Sequence, residues 1–298
     1  MFTKKLIILI VVVGFASCTN ESDSYKMKYL TDHIPDDIPI EFKTYNIPND
    51  RIIHKGTFNP DLTEYYYTVS DKKFQQFDVY VQRKTNGRWT EPEPAFFNSN
   101  HSEHGMSFSP DGNVLYFSST RPTNIESIPE TWHIWKSIKM DGKWRDPVFI
   151  NIPNLGNKLV SHPSVSNSGT MYFHASNLDY SEMDIYYSKW IDGKYEPAVK
   201  VNLNIDESIG KCTPFVSPDE DYLIYASIGE ELELSICFKD DSGYWSKPKK
   251  LNEEINNHGQ GNPYVTPDNK YLFFTAIDTT SGVWKVKWVN IANQIKAD

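Results

Sequence analysis

Histidine, lysine and amide side chains recur in five short segments distributed along the chain, IIHKG, SEHGM, LVSHP, GKCTP and GQGNP. The charged, imidazole and amide side chains of these segments belong to His54, Lys55, Glu103, His104, His162, Lys211, Gln260 and Asn262. Brought to one place, with Arg121 from a neighbouring loop, they could bind a polar ligand such as a glycan, an anion or a partner's side chain. They could instead be structural, with each imidazole hydrogen-bonded to a backbone carbonyl.

A third interpretation is a metal site formed by His54, His104 and His162. Imidazoles are common ligands of zinc and related ions. The short spacings His-x-His and Cys-x-x-Cys do not occur, so a metal would depend entirely on the fold bringing distant residues together. We therefore predict no metal and no other cofactor.

The same five segments offer few groups for catalysis. Glycoside hydrolysis needs two carboxylates about 5–9.5 Å apart, and only Glu103 offers one. A hydrolase with a nucleophile elbow is not indicated, because no Gly-x-Ser-x-Gly occurs. We predict no catalytic residue, although a carbohydrate-active lyase or hydrolase, with or without a metal and with its site where these segments meet, stays open as the alternative.

An internal repeat connects the five segments. Pro-Asp stands at positions 60–61, 110–111, 218–219 and 267–268, and Asn167-Ser168 replaces it in a degenerate copy. The copies therefore begin 49 to 57 residues apart. Proline and a following glycine or polar residue are typical of tight turns, and a period of this size predicts a repeat architecture.

Each copy has the same order of short strands and turns. A second strand follows the Pro-Asp turn, a variable loop leads to a third strand, and an Asn-Gly or Asp-Gly type turn comes next. An aromatic residue and a proline then introduce a fourth, edge strand; the aromatics are Trp89, Trp144, Tyr195 and Trp245. We predict an all-β, five-bladed β-propeller of four-stranded antiparallel blades, with these aromatics packed between blades.

The ends of the chain predict how the ring closes. The fifth copy lacks a fourth strand, whereas residues 39–42 resemble one, so we expect this N-terminal strand to join the last blade and cover its edge. In such a blade, the loops before the first strand and between the second and third strands share one face. The five polar segments lie on that variable face, at the mouth of a central channel.

The repeats resemble the WD40-like, SPDG-type repeats of the periplasmic propeller of the Tol–Pal system. With residues 16–18, they also resemble a group of Bacteroides-group lipoproteins. The resemblance covers roughly residues 38–290. It implies a propeller in the cell envelope and leaves its ligand undefined, because one propeller fold hosts many functions.

The N-terminus has the layout of a secretory signal. Lys4 and Lys5 precede a short apolar stretch, and Ala16 and Ser17 precede Cys18. We predict a lipoprotein signal peptide over residues 1–17, a lipidated polar tether over 18–37 and the propeller over 38–298. Cys18 would carry the lipid, on the outer membrane facing the periplasm or on the cell surface.

Charge and cysteine content limit the partners and the chemistry. The formal charge is −9, and loss of residues 1–17 with Lys4 and Lys5 makes it −11, which argues against nucleic acid. Cys212 and Cys237 fall on the first and third strands of one blade, too far apart for a disulfide. We predict two buried free thiols, and a monomer that binds a protein partner or a glycan and contacts the membrane through the lipid on Cys18.

Overall fold

The computed structural model describes residues 29–31, 33–42, 51–257 and 260–296 of the 298. Predictions for residues 1–28, including Cys18, lie outside the described residues. Within the described part all regular elements are strands, and none is an apolar helix of membrane-spanning length. The architecture is a five-bladed β-propeller, as the repeat predicts.

The strands follow the repeat closely. The closing strand is β1 (Ile40–Glu41). The first blade contains β2 (Arg51–Phe58), β3 (Glu64–Asp71), β4 (Phe77–Thr85), β5 (Arg88–Trp89) and β6 (Glu93–Pro94). The second contains β7 (Glu103–Phe108), β8 (Val114–Ser119), β9 (His133–Met140), β10 (Lys143–Trp144) and β11 (Val148–Phe149).

The other three blades repeat this order. The third contains β12 (Leu159–Val165), β13 (Met171–Ser176), β14 (Asp184–Ser188), β15 (Trp190–Ile191), β16 (Lys194–Tyr195) and β17 (Val199–Lys200). The fourth contains β18 (Gly210–Val216), β19 (Tyr222–Ile228), β20 (Leu232–Phe238) and β21 (Lys249–Lys250). The fifth contains β22 (Gln260–Val265), β23 (Tyr271–Ile277) and β24 (Trp284–Asn290), with β1 as its outer strand.

The first strands of successive blades contact one another around the ring, including the pair β2 and β22. They therefore surround a central channel. We call the end of the channel where these strands begin the loop face, and the end with the Pro-Asp turns the turn face. A left-handed residue occupies the same position of each such turn, at Leu62, Gly112, Gly169, Glu220 and Asn269. Glycine is thus replaced in three copies.

Five hydrophobic clusters fill the five spaces between blades. The repeated aromatics Trp89, Trp144, Tyr195 and Trp245 each belong to one of them, which confirms their predicted place. Trp245, for example, packs edge-on against Tyr172 of the preceding blade with ring centroids 6.0 Å apart. Cys212 and Cys237 are free and buried, also as predicted.

The ring closes through the N-terminal strand, as predicted. Ile40 pairs with Trp288 and Glu41 with Lys287, and the Phe42 N–H donates to the Val286 carbonyl at 2.9 Å. Tyr29 and Leu30 are also buried in the cluster between the last and first blades, and the Tyr29 hydroxyl donates to Asp268 at 2.7 Å. The packed part of the chain thus includes residues of the segment interpreted as a tether, because Tyr29 fills the closing seam.

Candidate functional site

A β-bulge interrupts the first strand of every blade near the middle of the channel. The pairing with the second strand shifts after Ile53, His104, Ser161, Cys212 and Gly261. In four blades the next residue has a left-handed backbone: Gly105, His162, Thr213 and Asn262. Non-glycine residues rarely adopt this conformation outside constrained sites. The bulge brings the predicted polar segments of different blades together along the channel.

Three imidazoles meet at the bulges of the second and third blades. The ring centroids of His104 and His162 are 4.4 Å apart, and those of His162 and His174 are 4.9 Å apart. The Ser161 hydroxyl lies 3.0 Å from His162 Nδ1 and 3.4 Å from His104 Nε2. The Thr213 N–H donates to His174 Nδ1 at 3.1 Å. Hydroxyl and backbone partners thus order this cluster, consistent with the structural interpretation of these histidines.

Sequence reasoning missed His174. It lies on β13 opposite Ser161, where the other blades have the smaller residues Val69, Ser118, Ala226 and Thr275. A bulky imidazole at a position otherwise occupied by small side chains was the available signal. The repeat motifs do not mark this position, because it lies on the second strand, outside the five polar segments.

Burial keeps the channel histidines uncharged near neutral pH. Burial lowers the pKa of His54 to about 4 and that of His174 to about 3. Burial, and then the nearby basic groups, hold the pKa of His104 and His162 well below the usual value. Neutral imidazole both donates and accepts a hydrogen bond, so these rings can pair with hydroxyl groups of a ligand.

An aromatic surface surrounds His104 at the loop face. We call its five residues, His54, Phe74, Phe77, His104 and Trp132, the aromatic mouth. The His104 ring packs edge-on against Trp132 at 4.0 Å, and Phe77 lies 5.7 Å from His104 and 5.5 Å from His54. His54 Nε2 also bonds the Ser70 hydroxyl at 2.7 Å. The first two blades supply all five residues.

Phe74 is the exposed member of the aromatic mouth. It has a left-handed backbone and is 45% exposed. The Asp71 carboxylate braces its turn by accepting the N–H groups of Lys73 at 2.8 Å and Gln75 at 3.0 Å. A large apolar ring is therefore held in solvent by a rigid, strained turn.

Lys55 occupies the other side of the bulge in the first blade. It is 4% exposed and lines a cavity of about 290 Å³ that runs from the bulges to the turn face. Burial lowers the pKa of its ammonium to about 8. Lys55 makes no hydrogen bond or ion pair with the residues that the structure describes.

The remaining predicted site residues have partners within the propeller. Glu103 is fully buried and forms an ion pair with Arg121 at 2.9 Å, and it also accepts from the hydroxyls of Ser99 and Ser119. Lys211 pairs with Asp184 at 3.3 Å.

Two predicted residues come from the last blade. The Asn262 N–H donates to the Thr213 hydroxyl at 3.2 Å, at its left-handed bulge position. Gln260 begins β22, where it pairs with Ala276. The structure therefore brings His54, Lys55, His104, His162 and Asn262 to the channel bulges, while Glu103, Arg121 and Lys211 serve ion pairs.

The metal interpretation finds no support in the described part of the chain. No three His, Cys, Asp or Glu side chains there form a group that could hold a metal ion. His104, His162 and His174 are neighbours, but His174 Nδ1 accepts from the Thr213 N–H, and the Ser161 hydroxyl lies beside His162 Nδ1 and His104 Nε2.

Comparison with known proteins shows the fold. No protein-family model and no curated protein matches this chain. A solved glycoside hydrolase is similar at 9% identity, covering 86% of this chain and 91% of that one, with a TM-score of 0.54. A protein of unknown function from Dyadobacter fermentans has 12% identity, covers 84% and 96%, and has a TM-score of 0.52.

TolB from Acinetobacter baumannii is also similar. It has 13% identity and a TM-score of 0.49, and the match covers 79% of this chain and 53% of that one. The present chain thus spans about half the length of that protein. At such low identities a likeness concerns the fold alone, since propellers host many functions.

Proposed function

We propose that this protein is an exported lipoprotein whose propeller is a binding module for a protein partner or a glycan. The observation that carries the proposal is the aromatic mouth. It offers an uncharged, partly exposed aromatic surface on the loop face, with Phe74 held outward by the turn that Asp71 braces. The function of the module is recognition through this surface.

The chemistry of the mouth suits recognition. Aromatic rings supply large apolar contacts at a small loss of conformational freedom, and such residues are enriched at interface cores. His54 and His104 stay neutral beside them, because burial lowers the pKa of each. They add hydrogen bonds without charge. Both a sugar ring with its hydroxyls and a partner's side chain fit such a surface.

Substitution of Phe74 tests the proposal. The full chain, purified in detergent, is applied to a glycan array and cross-linked to envelope proteins. We expect a specific glycan or protein to bind, and Phe74→Ala to weaken that binding at least tenfold, as befits loss of a central aromatic contact.

Tyr244→Ala is the matched control. Tyr244 is 72% exposed and lies in the turn after β20, away from the mouth. The control keeps full binding. Equal binding by Phe74→Ala and wild type would refute the mouth as the recognition surface. Turnover of a bound glycan would instead indicate the carbohydrate-active enzyme.

The ion pair of Glu103 weighs against a hydrolase. Its carboxylate is fully buried and accepts from Arg121, Ser99 and Ser119. An acid that protonates a glycosidic oxygen must reach that oxygen and carry a proton. Glu103 is buried out of reach of such an oxygen, so recognition is the better conclusion.

The envelope location rests on the sequence. Cys18 follows small residues and an apolar stretch, and the turn frames are of the SPDG type that resembles the WD40-like Tol–Pal propeller. We infer a lipid on Cys18 and attachment to the outer membrane, facing the periplasm or the cell exterior. Metabolic labelling with a fatty acid should mark the wild type and leave Cys18→Ser unlabelled. Labelling of that variant would disprove the assignment.

A further inference from the structure

The channel cavity at the turn face has a charged wall residue, Lys55 of the first blade, and all five blades contribute to its lining. The other described lining residues are apolar or carry hydroxyl and amide groups, among them Phe108, Phe215, Tyr264, Thr57 and Ser107. Within the described part of the chain, no carboxylate and no guanidinium belongs to this lining.

A buried ammonium without a partner is unfavourable. Removing a charge from water costs several kcal/mol unless an opposite charge or several hydrogen bonds compensate. Lys55 is 4% exposed, and burial alone accounts for its lowered pKa. By contrast, Lys211 of the fourth blade is similarly buried, but its ammonium lies 3.3 Å from the Asp184 carboxylate. Among the residues that the structure describes, Lys55 therefore has no counter-charge.

We propose that this cavity binds a small monocarboxylate with an apolar body, whose carboxylate pairs with Lys55. The site is separate from the aromatic mouth, which lies at the opposite end of the channel, and does not depend on the function proposed for it. One ammonium balances one negative charge, and the aromatic, aliphatic and proline side chains of the wall suit a hydrocarbon or phenyl group. A dianion such as a phosphate monoester would leave a second charge uncompensated in apolar surroundings.

The volume agrees with this ligand class. Small-molecule sites occupy roughly 300–1,000 Å³ and are mainly apolar with a few fixed polar groups. At about 290 Å³ the cavity is at the lower end of that range. It therefore suits a compact acid such as 3-phenylpropionate. The hydroxyl of Ser107 is available to the second carboxylate oxygen.

Calorimetry with defined probes tests the proposal. The full chain in detergent is titrated with 3-phenylpropionate, hexanoate, 3-phenylpropionamide and phenyl phosphate. We expect the two carboxylates to bind, and the neutral amide and the dianion to bind at least tenfold more weakly. Lys55→Met should weaken carboxylate binding at least tenfold, because it removes the charge and keeps the length of the side chain.

Two further variants separate loss of charge from loss of fold. Lys143→Met removes an exposed ammonium of β10, outside the channel, and should bind like the wild type. Ser107→Leu fills the cavity while Lys55 remains, and should weaken binding as well.

Three results would overturn the proposal. They are equal affinity of Lys55→Met and wild type, equal affinity for acid and amide, and no heat with either carboxylate at millimolar concentration. The last result would mean that water alone solvates Lys55. If Phe74→Ala binds as well as the wild type and so refutes the aromatic mouth as the recognition surface, the results of these titrations would not change.

Discussion

Lys55 and His174 illustrate how single residues acquire their environment in this channel. Both lie beside a bulge, where the register of the first strand shifts, and both are buried with a lowered pKa. The sequence indicates that Lys55 belongs to the channel, because its segment precedes a turn frame. It does not indicate which end of the channel the ammonium faces. That direction depends on the bulge in the first strand. The first bulge residue is His, Gly, His, Thr and Asn in the five successive blades, so no sequence motif marks it.

Lys55→Met should raise the free energy of unfolding near pH 7 by about 3 kcal/mol. The estimate follows from a folded pKa of about 8 against 10.5 for free lysine. Between about pH 8 and pH 10.5, the unfolded chain binds one proton more than the folded chain does. The penalty is therefore complete below pH 8 and disappears as pH rises towards 10.5.

Urea unfolding at pH 7 and pH 10 measures this effect. The gain of Lys55→Met over the wild type should be large at pH 7 and small at pH 10, while Lys143→Met changes little at either pH. A Lys55→Met protein that is less stable than the wild type at pH 7 would show that the ammonium has a stabilising partner.

At the scale of strands and turns, much of the fold follows from sequence patterns. The Pro-Asp frames locate the five blades, and the incomplete fifth copy predicts β1 as its outer strand. The turn position itself is less restrictive than glycine would imply, since Leu62 and Glu220 adopt the same left-handed backbone. Glu220 is compensated there by hydrogen bonds from Tyr172 and Ser166 of the preceding blade. Such cross-blade contacts cannot be read from one repeat.

Phe42→Ala should weaken the closing element by about 3–5 kcal/mol, the usual effect of deleting a buried phenyl group. Phe42 is 2% exposed and packs against Tyr65, Phe273 and Trp288 with centroids 4.9–5.3 Å apart. Chemical denaturation gives the change in stability. Hydrogen exchange should show faster exchange of the Phe42 amide and the β24 amides.

Phe96→Ala provides the comparison. Phe96 is 40% exposed and stacks on Trp144 at 5.5 Å. Its loss should reduce the free energy of unfolding by less than about 1.5 kcal/mol, because the substitution removes little buried apolar surface. Equal losses for the two variants would mean that the N-terminal segment contributes little to closure.

At the scale of the whole ring, the channel makes the molecule sensitive to acid. Four buried histidines of the folded protein are neutral near pH 7: His54, His104, His162 and His174. Burial lowers the pKa of His54 to about 4 and that of His174 to about 3, and it holds those of the other two well below the usual value. Once unfolded, each takes up a proton near pH 6.5. Stability should therefore fall as pH drops below 6.5, by about 1.4 kcal/mol per pH unit for each histidine.

His174→Gln tests the proton count. The slope of unfolding free energy against pH between 6 and 4.5 should decrease by one proton, whatever the overall stability of the variant. His33→Gln, which removes an exposed imidazole outside the channel, is the control variant. An unchanged slope in His174→Gln would show that His174 is already protonated in the folded ring.

The pairing of β1 with β24 has a consequence for the order of events in folding. Ile40 finds its partner Trp288 only after nearly the whole chain has been made. Contacts between residues so distant in sequence slow folding, because a long loop must be ordered before they form. A nascent chain can build its early blades one after another, but the outer edge of the last blade stays uncovered until the first strand returns to it. A chain that ends before β24 would leave β1 without the strand with which it pairs. Such a chain would be exposed to proteolysis and to pairing with other chains.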